Sequence, residues 1–518
     1  MPFWFSRSTN PLSRQRKKVA LDVSGPKTEL AKRTVGGAAI TMSGSGVMLA
    51  LQILQLTVLS RLLTPEDFGL IGMATVATML VKLFSDIGLP MATIQREKID
   101  QEFVTAVFYI DVALSLCLMA LCMGLAPVAA VLFDEQRVAP LVLIIGLTFP
   151  LAALRGQHQA LLSRKMQFLK LNIVNVSANS IGAMTAIACA WFANLGYWAI
   201  AFGTVATSFA TLVFTWIALP WVPSRPGSLA AGRPAIAFGL NLLAANFAGW
   251  LWKQADRALI GWRWGAGELG CYARAYSVMM VPISLFTGPI GSAVIPALSR
   301  LQNDPPLRTA MILTTARYFA FFSGLLTIGL AFNAEFIVNL ILGPQWEYSA
   351  AIFSVLALSL FPSFIWEHAR LVFLALGRTE TMRNYAMAAA LGHLAAFLIG
   401  VQWGAIGVAI SLAGASFMVS GPLLAVSARV CAVPLVKLAS QFAPSFIAML
   451  LAGGLIFGVG PWLKSDTPLF EAILVSFVIL TTFVLAHAAM LPLHEGWRGD
   501  VKRLWRLAQP LLNRERDK

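Results

Sequence analysis

Long apolar runs separated by short polar breaks dominate this chain of 518 residues. The runs are apolar on every side, whereas the strands of a membrane barrel alternate, so the runs predict helices that cross a bilayer. Only 12% of the residues are charged, about half the share in soluble domains. The chain is therefore expected to be an all-α integral membrane protein with about 14 transmembrane helices. The predicted spans are 35–62, 67–93, 102–127, 138–162, 168–193, 196–220, 234–261, 267–297, 308–332, 347–373, 382–401, 404–428, 439–462 and 467–491.

An internal repeat relates the two halves of the chain. The matching segments are Leu63–Gly69 with Trp264–Gly270 at a displacement of 201 residues, Leu195–Ala201 with Trp403–Ala409 at 208, and Leu162–Arg164 with Leu376–Arg378 at 214. The repeated unit contains six spans, so its two copies run parallel and are related by an axis along the membrane normal. Two six-helix lobes of this kind are typical of alternating-access transporters.

The repeat and the spans together predict the organisation of the chain. The expected parts are a basic cytoplasmic tail at 1–34, an N-terminal six-helix lobe at 35–220, a cytoplasmic linker at 221–233, a C-terminal six-helix lobe at 234–428, two extra helices at 429–491 and a basic cytoplasmic tail at 492–518.

Positive charge is distributed unequally between the two sides of the predicted membrane. The tails and the breaks on one side carry 28 of the 39 Lys and Arg, whereas the breaks on the other side carry four. Cytoplasmic loops are enriched in Lys and Arg, so both termini are expected in the cytoplasm. The net charge of +15 therefore predicts contact with anionic membrane lipid rather than with nucleic acid.

Motifs for catalysis, cofactors and metals are missing from the sequence. It has no HExxH, GxSxG or P-loop pattern and no CxxC pair among its five cysteines. No loop on the outer side is long enough to hold a soluble catalytic domain. We therefore expect no enzyme activity, no metal and no cofactor.

Charged residues inside spans are the candidates for function, because each costs about 2.5–3.5 kcal/mol at mid-helix on insertion scales and usually faces a cavity or a partner. Seven cations stand against four carboxylates in the predicted spans. This excess favours an anionic substrate such as a phosphate or pyrophosphate. Lys253 and Arg274 are expected at similar depth in adjacent antiparallel spans, and Arg317 lies well inside the ninth span. These three cations are the predicted substrate-binding residues.

The other buried charges have both a structural and a functional interpretation. Lys82 and Asp86 are four residues apart on one helix face and are expected to form a structural ion pair. Asp256 beside Arg257 fits a fold-stabilising network as well as a coupling-ion site. Further candidates for coupling or for ion pairs are Asp111 and Glu367. Near the inner ends of spans, side chains are expected to reach the membrane interface. These are Arg155, His158, His368 and Arg370, whereas His393 is expected to be a hydrogen-bonded core histidine.

The segment Thr64-Pro65-Glu66-Asp67 also has two interpretations. Paired carboxylates in an outer loop are compatible with a membrane glycosyltransferase that uses lipid-linked sugars. Thr64 followed by Pro65 and Asp67 is equally typical of a helix start with a capping box. The second copy of the repeat carries Glu268 at the place of Asp67, which favours the capping interpretation, because a catalytic pair need not be duplicated.

Several segments resemble one known family. They are Arg61–Ala74 (RLLTPEDFGLIGMA), Phe84–Gly88 (FSDIG), Ile94–Arg96 (IQR), Asp256–Gly261 (DRALIG) and Glu268–Tyr276 (ELGCYARAY). With the predicted topology, they are similar to the bacterial polysaccharide transporters. These are the O-antigen and exopolysaccharide flippases of the multidrug/oligosaccharidyl-lipid/polysaccharide exporter superfamily.

The resemblance implies a flippase of the bacterial inner membrane that opens alternately to the two sides. It implies undecaprenyl-pyrophosphate-linked oligosaccharide repeat units as substrate, and a polymerase and a chain-length regulator of the same pathway as partners. Neither the oligosaccharide, nor the coupling ion, nor the oligomeric state follows from the residues. The alternatives are a multidrug or cation antiporter of the same superfamily, which usually has twelve spans and prefers acidic sites, and a membrane polysaccharide polymerase, which would need a substantial outer loop.

Overall fold

Helices cover most of the described residues in each predicted span. The computed structural model describes residues 27–85, 89–96, 99–224, 233–465 and 467–490, and the side chains of 27–43, 83, 95 and 233–253 lie outside this description. The described residues form seventeen α-helices and no β-strand.

The helices of the first repeat are α1 (Lys27–Leu62), α2 (Pro65–Ser85), α3 (Leu89–Gln95), α4 (Gln101–Leu132), α5 (Val138–Gly146), α6 (Thr148–Arg164), α7 (Phe168–Trp191) and α8 (Tyr197–Ala218). Those that follow are α9 (Arg233–Arg300), α10 (Pro305–Phe332), α11 (Ala334–Ile341), α12 (Glu347–Leu358), α13 (Leu360–Ala375), α14 (Thr379–Gly400), α15 (Gly404–Cys431), α16 (Leu435–Leu463) and α17 (Pro468–Met490). Single 3₁₀ turns at Pro344–Trp346 and Val401–Trp403 precede α12 and α15.

Length and apolarity identify ten of the described helices as able to cross a membrane, or eleven if the bent pair Pro344–Leu358 and Leu360–Ala375 is one span. Two of the ten stretches, Gln254–Arg300 and Thr379–Cys431, contain 47 and 53 residues, about twice the 20 that one crossing needs. The fold is thus an all-α multi-pass membrane protein, and its helices are compatible with the predicted fourteen spans.

The ends of equivalent helices have the same local geometry in both repeats. Asp100 accepts a hydrogen bond from the amide of Phe103 at the start of α4, and Asp304 accepts one from Leu307 at the start of α10. Acidic N-caps of this kind satisfy amides that have no partner within the helix. Gly196, which precedes α8, and Gly404, at the start of α15, both have a positive φ, which the repeat displacement of 208 residues predicts.

The sequence match of Leu162–Arg164 with Leu376–Arg378 is offset by three residues from the pairing that the structure shows. Helix α6 ends with Met166 in the left-handed region, and α13 ends with Gly377 there. The closing hydrogen bonds Gln167 N to Leu162 O and Arg378 N to Phe373 O are equivalent. The displacement at this helix end is therefore 211 residues rather than 214, because the similarity of the letters alone did not locate the C-cap.

The chain divides into two compact units, Met1–Gly270 and Cys271–Lys518. In the first unit α7 packs on α8 and α1, and α4 packs on α5, α6 and α2. In the second unit α10 packs on α16 and α13, α14 on α15, and α16 on α17. The six parts expected from the sequence stay a prediction, and residues 1–26 and 491–518 of the two tails lie outside the described residues.

The two copies of the repeated motif meet within the first unit. A Cβ on Gly69 would overlap the main-chain carbonyl of Ala266, and a Cβ on Gly270 would overlap that of Pro65. The displacement of 201 residues relates Gly69 to Gly270 and Pro65 to Ala266. The contact is therefore reciprocal, as a two-fold axis between the copies requires.

Candidate functional site

The motif Thr64–Asp67 is a helix cap. Asp67 Oδ2 accepts hydrogen bonds from the amide of Thr64 at 2.9 Å and from its hydroxyl at 2.8 Å, and Thr64 Oγ1 accepts one from the amide of Asp67. The second carboxylate oxygen of Asp67 accepts a hydrogen bond from the amide of Tyr197 at 2.9 Å. The reciprocal hydrogen bonds of Thr64 and Asp67 confirm the capping interpretation. The bond from Tyr197 also joins the start of α8 to the start of α2.

Arg137 joins two carboxylates next to this cap. Its Nη2 lies 2.5 Å from Glu66 Oε1 and 2.7 Å from Glu135 Oε2. The hydrogen bond from Arg137 holds the pKa of Glu135 below its usual value of 4.5. The same ion pairs raise the pKa of Arg137. Through them Arg137 links the loop after α4 to the start of α2, and the three residues are called the Arg137 clamp.

For the predicted ion pair of Lys82 and Asp86, the structure describes Lys82 only. Lys82 is exposed at the end of α2, and Asp86 lies outside the described residues. Asp111 is 6% exposed on α4. A Cβ on Gly156 of α6 would lie 3.0 Å from Asp111 Oδ2, so the carboxylate packs closely on this glycine at the α4–α6 contact.

Asp256 is buried on α9, and its Oδ1 accepts a hydrogen bond from the amide of Arg257 at 2.7 Å. Lys253 precedes it on the same helix, but the side chain of Lys253 lies outside the described residues. Arg274 follows the break of α9 at Gly265, where φ is +82°, and is half-buried. Lys253 and Asp256 belong to the first unit, and Arg274 belongs to the second.

Arg317, the third predicted substrate-binding residue, is buried, with 7% of its surface exposed. Its Nη1 donates to Gln441 Oε1 on α16 at 2.9 Å, and its Nη2 donates to Thr314 Oγ1 at 3.0 Å. Two neutral oxygens therefore orient the guanidinium at the contact between α10 and α16. The sequence did not predict Gln441 as a partner, although an amide in the apolar run of α16 was the available signal.

Glu367 and Arg370 form an ion pair on α13, with Nη2 and Oε2 2.7 Å apart. Glu367 therefore fits the structural interpretation of the buried charges. The prediction that His158 and His368 reach the interface is wrong, since both are buried. His158 Nε2 lies 2.9 Å from the carbonyl of Trp221, and His368 Nε2 lies 3.2 Å from that of Ile312, so each ring finds a partner inside the protein.

His393 has the hydrogen bonds expected of a core histidine, to the carbonyl of Ala389 at 2.9 Å and with Ser416 Oγ at 3.2 Å. Among the described residues, no three His, Cys, Asp or Glu side chains are grouped as metal ligands are.

Arg164 caps the C-terminal end of α3, which is predicted to face the cytoplasm. Its Nη1 donates to the carbonyls of Thr93, Ile94 and Arg96. The carbonyls of Thr93 and Ile94 belong to the last turn of α3, and that of Arg96 directly follows it. The last carbonyls of a helix have no partner within it, so a cation placed there satisfies them and interacts favourably with the helix dipole. The predicted inner-loop charge Arg164 therefore has a structural role.

Known proteins resemble the chain in sequence and in fold. The profile of the family described as "Polysaccharide biosynthesis protein" matches residues 58–351. The lipopolysaccharide biosynthesis protein WzxC of Escherichia coli is 25% identical over 321 residues, which are 61% of this chain and 65% of that protein. The succinoglycan biosynthesis transport protein ExoT of Rhizobium meliloti is 24% identical over 63% of this chain and 65% of its own length. The chain thus spans slightly less than two thirds of these relatives.

Solved structures share the fold, two of them with the following agreement. The lipid II flippase MurJ in an inward closed conformation superimposes with a TM-score of 0.69, at 14% identity, over 88% of this chain and 99% of its own. An inward-facing multidrug resistance transporter of the MATE family gives a TM-score of 0.57, at 14% identity, over 76% of this chain and 96% of its own. At these identities the likeness concerns the fold alone.

Proposed function

The chain belongs to the family of polysaccharide biosynthesis proteins, and from that premise we propose that it is a transporter rather than an enzyme. It is a flippase that moves undecaprenyl-pyrophosphate-linked oligosaccharide repeat units across the bacterial inner membrane for exopolysaccharide or lipopolysaccharide synthesis. The observation that carries the proposal is the combination of this family with the fold of a lipid II flippase over most of the chain.

Arg274 and Arg317, with Lys253, are the proposed contacts of the pyrophosphate. Guanidinium groups bind phosphate oxygens in a bidentate manner, and a buried cation in a membrane protein requires an anionic or polar partner. Gln441 and Thr314 accept hydrogen bonds from Arg317 and orient its guanidinium. Asp111 and Asp256 are the proposed coupling carboxylates, because both are buried on membrane helices. Lys82 with Asp86, and Glu367 with Arg370, are assigned to structural ion pairs.

Both termini are proposed to lie in the cytoplasm, with the polymerase and the chain-length regulator acting on the opposite side. Reporter fusions test this orientation. An alkaline phosphatase domain inserted between α1 and α2 should be active, because that loop is predicted to be periplasmic. The same domain placed after Gly377 should be inactive.

Deletion of the gene tests the function itself. Extracellular polysaccharide should disappear, and sugar-loaded lipid carrier should accumulate on the inner leaflet. Plasmids with Arg274→Gln or Arg317→Gln should restore at most about a tenth of export at normal protein level, whereas Arg383→Gln should restore it fully. Arg383 is a matched control because its side chain is 54% exposed. Normal export after the deletion contradicts the proposal.

A multidrug or cation antiporter is the second candidate, because the fold also matches a multidrug exporter. The excess of cations over carboxylates in the spans favours an anionic substrate instead. Increased sensitivity of the deletion strain to cationic drugs, with polysaccharide export unchanged, would favour the antiporter.

A further inference from the structure

A groove of about 490 Å³ lies between α7 and α8 in the first unit. Its lining residues are Lys170, Ile173, Val174, Ser177, Phe214, Ile217 and Ala218. One lysine therefore stands at the end of a channel that is otherwise almost entirely apolar. The groove lies next to the turn between α6 and α7, on the membrane face predicted to be cytoplasmic.

The rim of this groove is open to the surroundings of the protein. The side chains of Ile173 and Ile217 are 57% and 72% exposed, and Leu169 on the preceding turn is 54% exposed. Exposed aliphatic side chains on membrane helices face hydrocarbon, so a chain of that kind can enter the groove from the side. Branched side chains and Phe214 give it walls that a flexible hydrocarbon chain can fill.

The ammonium groups of Lys165 and Lys170 belong to the polar end of the groove. Lys170 Nζ is 3.4 Å from the carbonyl of Ala218, and a lysine carries three donors, so N–H groups are left for a ligand. Lys165 lies in the turn before α7, where burial and then the charge of Lys170 lower its pKa. Lys165 is the C-cap of α6 and Lys170 lies in the first turn of α7, so the two cations flank the same short turn. Within the part of the chain that the structure describes, no carboxylate pairs with either of them.

Neighbouring cations without a carboxylate repel each other, and an anion placed between them removes that repulsion. We propose that the groove binds an anionic phospholipid of the membrane, with its phosphate on Lys165 and Lys170 and one acyl chain between α7 and α8. The lipid matches both halves of the site, since an anionic headgroup suits the ammonium groups and an acyl chain suits the apolar walls. This site is separate from the transported substrate.

Native mass spectrometry of the full-length protein, purified in detergent and stripped of lipid, tests the site with dioleoylphosphatidylglycerol as the probe. A basic residue that contacts an anionic headgroup contributes about fivefold to lipid affinity. Lys165→Gln and Lys170→Gln should each weaken binding about fivefold. Lys437→Gln, which removes an exposed cation at the start of α16, should leave it unchanged.

A second variant tests the apolar part. Ile217→Trp fills the groove without changing a charge and should also weaken phosphatidylglycerol binding several-fold. Its helical circular dichroism should match that of the wild-type protein. If this variant does not fold, the two lysine variants still test the proposal.

Competing ligands separate the alternatives. Dioleoylphosphatidylcholine should bind at least about tenfold more weakly, and inorganic phosphate should not displace the lipid. Equal binding of the zwitterionic lipid, or full displacement by phosphate, overturns the proposal. It is equally overturned if farnesyl pyrophosphate binding depends on the two lysines while phosphatidylglycerol binding does not, since the groove would then serve the transported lipid. Failure here leaves the export result of the deletion strain unaffected.

Discussion

Gly69 lies directly against the main-chain carbonyl of Ala266, the residue that the repeat makes equivalent to Pro65. In return, Gly270 lies against the carbonyl of Pro65. Backbone meets backbone at both places, so neither contact can be relieved by rotation of a side chain. The close approach explains why glycine stands at the same position of both motif copies, a similarity that the sequence offered only as a pattern.

Adding one methyl group at either glycine should therefore destabilise the protein. We expect Gly69→Ala and Gly270→Ala each to lower the free energy of unfolding by about 1–3 kcal/mol, the usual cost of overpacking. Gly267→Ala is the control, because a Cβ there meets nothing within 4 Å. Thermal unfolding of the detergent-purified variants measures the effect. Equal melting temperatures for Gly69→Ala and Gly267→Ala would contradict the contact.

The cap at Asp67 leads to a second prediction. Asp67→Ala removes the acceptor of the Thr64 and Tyr197 amides, so a loss of about 0.5–2 kcal/mol is expected from the helix cap alone. Asp67→Asn keeps an acceptor oxygen and should lose less. Export by both variants should follow their protein level in the membrane. Loss of export by Asp67→Asn at normal level would instead favour a direct functional role for the carboxylate.

The Arg137 clamp should make stability depend on pH. The pKa of Glu135 is lower in the folded protein, so its contribution is complete above the usual value of 4.5 and disappears as the pH falls through the lowered pKa. Glu135→Gln should therefore lower the free energy of unfolding at pH 7 by about 0.2–1 kcal/mol, as is typical of exposed pairs, and the melting temperature with it. The difference from wild type should vanish in strong acid. A difference independent of pH would exclude the ion pair as its cause.

The sequence predicted the helices well because apolar runs of this length have one stable form in a bilayer. It did not predict the breaks at Leu147 and Ser359, which interrupt the fourth and tenth predicted spans. The available signals were Pro150 and Pro362, three residues after the two breaks. A proline removes the helix hydrogen bond to the residue four positions earlier, and the preceding helices end at those residues, Gly146 and Leu358. The short helix α11 also went unpredicted, since it lies where the sequence predicts an outer loop. Side-chain partners such as Arg317 and Gln441, 124 positions apart, depend on packing between helices and cannot be derived from one sequence.

The hydrogen bond between Arg317 and Gln441 gives the last prediction. Hydrogen bonds to charged groups contribute about 1.5–3 kcal/mol, and Gln441 is buried beside α10, with 3% of its surface exposed. Gln441→Leu should therefore destabilise the protein by about that amount, while Gln402→Leu, at an exposed position, should not.

A double-mutant cycle separates the pair from its surroundings. Once Arg317→Met has removed the guanidinium, Gln441→Leu should cost clearly less than it does in the wild-type protein, because the charged donor is gone. Chemical unfolding in detergent measures all four proteins. Strictly additive losses would mean that Gln441 does not hold Arg317, and would remove the support that this contact gives to a fixed guanidinium on α10.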